Sequence, residues 1–64
     1  MREVEEMLSN MNINYKLLRC DLIEITQYVP FSKDFLEELI NCKDFKAIEV
    51  YDCNEAHILI AIEV

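Results

Sequence analysis

The last eight residues, His57-Ile58-Leu59-Ile60-Ala61-Ile62-Glu63-Val64, constrain the fold more than any other stretch of the chain. Side chains alternate across a β-strand, so Ile58, Ile60, Ile62 and Val64 share one face and His57, Leu59, Ala61 and Glu63 the other. A wholly apolar face backed by a half-apolar one predicts a central strand covered by helices on one side. The remaining residues supply what such a strand needs around it.

Residues 2–11 place Val4, Met7, Leu8 and Met11 at helical spacing, opposite Arg2, Glu3, Glu5, Glu6, Ser9 and Asn10, which predicts an amphipathic helix. A methionine-bearing stripe can serve as an adaptable peptide-binding face, but core packing is the plainer reading. There is no glycine, so left-handed turn positions fall to Asn or Asp, with Asn12 after the helix as one candidate.

From Ile13 to Val29 the period becomes two, predicting two strands joined at Arg19-Cys20-Asp21. Only an odd number of intervening residues puts Ile13, Tyr15 and Leu17 on the same face as Ile23 and Ile25. Gln27 interrupts the apolar face and is expected near the sheet margin. Pro30 ends the second strand, and Ser32 caps a second helix running from about Lys33 to Cys42, with Phe31 and Leu36 placed as a hydrophobic staple. Phe35, Leu36, Leu39 and Ile40 form its apolar stripe. A third strand, Phe45 to Tyr51, meets the last strand through an odd loop, Asp52-Cys53-Asn54, in which Asn54 takes the left-handed position.

The expected architecture is α+β: one domain over residues 1–64, in the order αββαββ, with a four-stranded antiparallel sheet in the order 1-2-4-3. Both helices are expected on the face bearing Ile23, Ile25, Ile48, Val50, Ile58, Ile60 and Ile62. Residues 1–29 and 31–64 read as a two-fold αββ pseudo-repeat.

Six basic and thirteen acidic side chains give a formal net charge of −7. Arg2, Lys16, Arg19, Lys33, Lys43 and Lys46 are scattered, so direct nucleic-acid binding is not expected. Neither a signal-peptide pattern nor a membrane-length apolar run is present, and a cytoplasmic location away from membranes is expected. For the three cysteines, free thiols in a reducing compartment are the simplest reading, and one disulfide with one thiol left over is the alternative.

Residues able to carry chemistry are sparse. Cys53-x-x-x-His57 has a metal-like spacing that Cys20 can extend, yet no second close ligand pair accompanies it. Structural thiols and an ordinary strand histidine are the plainer reading. No orienting third group marks a cysteine–histidine nucleophile, and no glycine-rich phosphate loop exists. Neither catalysis nor a cofactor nor a metal is expected.

Two surfaces invite partners. On the sheet face away from the helices, Leu22, Tyr28, Phe45, Tyr51, Leu59 and Ala61 are expected to form an apolar patch large enough to favour a homodimer. The plainer alternative is a scattered face covered by long polar side chains. On the helices, Glu3, Glu5, Glu6, Asp34, Glu37 and Glu38 form an acidic surface that resembles the charge of nucleic acid and suits a basic groove on a protein partner. Solvating charge is the plainer reading of the same residues. The expectation is a small acidic, non-catalytic, homodimeric protein-interaction module, an inhibitor or nucleic-acid mimic acting on a nucleic-acid-handling protein.

Two other classes compete with it. Residues 21–64 resemble part of the ACT and related stand-alone amino-acid-sensing domains in topology and apolar pattern, which implies dimerisation through sheets and a small-molecule effector held between subunits. The initial hairpin departs from that arrangement and the glycine-bearing ligand loop is missing. The third class is a metal or redox site built from Cys20, Cys53 and His57.

Overall fold

Helix α1 spans Glu3–Asn10 and α2 spans Lys33–Ile40 in a computed structural model that describes residues 2–64. The strands are β1 (Tyr15–Arg19), β2 (Leu22–Ile25), β3 (Val29–Pro30), β4 (Ala47–Asn54) and β5 (His57–Glu63). All strand pairings are antiparallel, so the class is α+β. β5 is the centre: β2 pairs with its Ala61–Glu63 end and β3 with His57 and Ile58, while β4 runs along the opposite edge of the same strand. β1 extends the sheet beyond β2.

Five strands replace the expected four because the second breaks. β2 leaves β5 at Glu24, opposite Ala61, and β3 rejoins it at Val29, opposite Ile58. Residues 25–28 thus span the interval that Leu59 and Ile60 occupy on β5, a two-residue excess that bulges out of the ladder. Asn14 holds the bulge. Its carbonyl accepts from the Thr26 N–H at 3.3 Å, and its own N–H donates to Gln27 Oε1 at 3.2 Å.

The hairpin turns are also tighter than expected. Arg19 pairs with Leu22 and Asn54 with His57, so each turn has two residues rather than three. The odd residue that parity requires is a bulge instead, between Leu17 and Arg19 in β1 and between Val50 and Asp52 in β4. The left-handed residue of the second turn is Glu55 (φ 57°), not Asn54, whereas Asn12 (φ 58°) takes that conformation after α1.

Val4, Met7 and Leu8 of α1 and Phe35 and Leu39 of α2 pack with Ile23, Ile25, Val29, Ile58, Ile60, Ile62 and Val64 into one core. Burying each large apolar side chain contributes about 1.5–3 kcal/mol before the entropy of ordering it is counted. Helix packing departs from expectation at the margins. Eight residues make a helix only about 12 Å long, so the helices leave Val50 on β4 and Leu17 on β1 half exposed, and Ile40 at the end of α2 is 65% exposed.

Ser32 caps α2, its Oγ accepting from the Phe35 N–H at 3.2 Å. α1 has no such local cap. Asp44, forty residues on, supplies one by accepting from the Val4 N–H at 3.3 Å, and Glu3 Oε2 accepts in return from the Lys43 N–H at 2.6 Å. These bonds tie the start of α1 to the loop that follows α2.

Candidate interaction surfaces

Between α1 and α2 runs a groove of about 400 Å3 whose walls carry Glu3, Glu6 and Asn10 on one side and Glu38 and Asn41 on the other, with Met7, Met11 and Cys42 between them. Of the six acidic residues expected to act together, the fold brings Glu3, Glu6 and Glu38 into this groove. Glu5 accepts from the Tyr15 hydroxyl at 3.2 Å on the β1 side, Asp34 lies in the first turn of α2, and Glu37 pairs with Lys33 at 3.7 Å.

Charge in the groove is not neutralised. The ion pairs among the described residues join Lys16 to Glu24, Arg19 to Asp21 and Lys33 to Glu37, all elsewhere. Neither helix has a basic residue in its last turn, where one would favour the helix dipole. Cys42 is buried, with its Sγ–H donating to the Glu38 carbonyl at 3.3 Å. Burial raises its pKa, and the nearby carboxylates of Asp44, Glu3 and Glu38 raise it further, so the thiol stays protonated and unreactive.

The open sheet face is more divided than the alternation of its residues implies. Cross-strand pairing sets Lys16, Glu24, Ala61 and Glu49 in one row, and Leu22, Glu63 and Ala47 in the next. Leu22 is already buried and Ala61 fully so, which takes both out of any contact surface. Phe45 precedes β4 and packs against the helix-side core, correcting its placement on the open face. Tyr28, Leu59 and Tyr51 remain, at the end of the face where β2 breaks from β5 and β4 bulges. There the Tyr28 hydroxyl donates to Asp52 Oδ2 across the sheet, and that hydrogen bond is the chief reason the phenol pKa is raised.

Cys20 and Cys53 are exposed free thiols. Cys20 lies in the β1–β2 turn, beside the Glu63 end of β5, whereas Cys53 and His57 lie at the other end of that strand. Seven β residues span about 20 Å, so Cys20 does not join the other two. Among the described residues no group of three His, Cys, Asp or Glu side chains is placed to hold a metal ion. No helix among them is long and apolar enough to cross a membrane.

Where the bulge leaves β5, a pocket of about 290 Å3 opens between Met11, Ile13, Gln27, Val29, Pro30 and Phe35, with Tyr28 and Ser32 at its margin. Gln27 was the visible signal: a polar residue at an apolar-face position marks the place where the strand departs from the ladder.

Protein-family models, curated proteins and solved structures contain no match to this chain.

Proposed function

We propose that this chain is a small acidic, non-catalytic interaction module that works as a homodimer and presents the groove between α1 and α2 to a basic surface on a protein partner. The observation that carries the reading is the convergence of Glu3, Glu6 and Glu38 on one groove that none of the ion pairs among the described residues reaches. Glu3 is partly engaged by the Lys43 N–H, but the carboxylates of Glu6 and Glu38 have neither an ion pair nor a hydrogen bond among the described residues. Unpaired carboxylates cost stability through mutual repulsion, so a groove that keeps them is suited to a cationic partner. Methionines between the acids add a deformable apolar floor that follows the stems of arginine or lysine side chains.

Basic grooves of this kind occur on proteins that handle nucleic acid, and the groove fits the role of an inhibitor or mimic that occupies one. A net charge of −7 sets the chain itself apart from nucleic-acid binders. An arginine-rich peptide is the direct probe. Titration calorimetry is expected to show affinity that falls at least tenfold as salt is raised from low to physiological concentration, and the double variant Glu6→Lys/Glu38→Lys is expected to abolish it. Binding indifferent to salt, or unchanged in that variant, rejects the reading.

A further inference from the structure

The surface through which two copies meet can be narrowed, taking the homodimer reading as its starting point. Charge narrows it first. Each copy carries −7, so contact between copies is least opposed where carboxylates are absent. The helix groove carries Glu3, Glu6 and Glu38, and the open sheet face carries Glu24, Glu49, Asp52 and Glu63. Both outer strands are interrupted by bulges, which disfavour the continuous backbone pairing of an edge-to-edge dimer. The pocket at the strand break is different: its lining contains no charged residue.

Shape narrows it further. Phe31 is 51% exposed and lies in the chain between Pro30 and Ser32, both of which line the pocket. Met11 and Tyr28, each 41% exposed, stand at the same pocket. An aromatic knob next to an apolar hole on one surface is what a two-fold axis requires, because each copy then offers the knob that the other's hole accepts. The hole is also preorganised. Ile13, Val29 and Phe35 are buried, and Gln27 is held by the Asn14 N–H, so little ordering remains to be done on docking.

We propose that the pocket at the β2–β3 break is the homodimer contact, with Phe31 of each copy entering the pocket of the other. Absolute mass by light scattering coupled to size exclusion, across protein concentration and with reductant present, tests it on the wild type, Phe31→Asp and Met11→Glu. Both positions are substantially exposed, so the variants are expected to retain the wild-type circular dichroism spectrum. Met11 also lines the helix groove, so Phe31→Asp, which lies outside that groove, carries the assignment and Met11→Glu corroborates it. If Phe31→Asp loosens the start of α2, Phe31→Ser takes its place. The expected result is a wild-type mass that reaches two chains, with the dissociation constant raised at least tenfold in each folded variant. A wild-type mass of two chains that the variants leave unchanged overturns the pocket as the contact and leaves the homodimer standing. A wild-type monomer at every concentration overturns both.

Discussion

Asp44 shows how much a single side chain can do at a distance. It caps α1 from the loop after α2, and Glu3 answers by accepting from the Lys43 N–H, so the two carboxylates tie the start of α1 to that loop. Helix-capping side chains contribute about 0.5–2 kcal/mol. Asp44→Ala is therefore expected to lower stability in urea denaturation by about 1 kcal/mol; an unchanged midpoint would show that the Val4 N–H is satisfied by solvent. Tyr28 gives a pH signature. Its pKa is raised, chiefly by the hydrogen bond to Asp52, so the protonated phenol is the form the fold prefers. That preference is fully present below the unfolded value of about 10 and is lost as pH rises through the higher folded value. Asp52→Ala is expected to return Tyr28 to the ordinary tyrosine range in an absorbance titration of tyrosinate. An unmoved midpoint would mean that Asp52 is not the cause.

Among the elements, the sequence specified parity more firmly than partition. Ile23, Ile25 and the isoleucines of β5 fall on one face as their alternation requires, and the α2 boundary at Ser32 is legible because its signals are local. The three-residue loops were not correct, since a two-residue turn plus a one-residue bulge gives the same odd count and sequence periodicity cannot tell them apart. The break after β2 was hidden for a related reason: two extra residues leave Tyr28 and Val29 on the faces that an unbroken strand would give them. Phe45 departs from the alternation because it precedes the start of β4, where no ladder fixes its face. Deletions separate these cases. Removing Thr26 and Gln27 together preserves parity and is expected to leave a folded chain with a cooperative thermal transition. Removing Gln27 alone leaves a one-residue excess and takes away the side chain that Asn14 holds, and is expected to be less stable than the double deletion, which closes the ladder. Equal stability of the two deletions would contradict the bulge.

For the whole molecule, the acidic balance was legible from composition, but its distribution needed the fold. Glu3 and Glu6 are separated from Glu38 by more than thirty positions and share a groove only because both helices cover the same sheet face. The same packing sends Glu5 toward Tyr15 and leaves Glu37 to Lys33, so half of the expected acidic surface faces elsewhere. The pocket at the strand break was legible only as an anomalous Gln27. A two-dimensional NMR titration of the isotope-labelled chain with an arginine-rich peptide at low salt locates the interaction site residue by residue. Saturable shifts are expected, concentrated at the amides of Glu3, Glu6, Met7, Asn10, Glu38 and Asn41 and reversed by added salt. Shifts spread evenly over Asp34, Glu37, Glu49 and Glu63 would show a diffuse counterion response and contradict the groove as the interaction site.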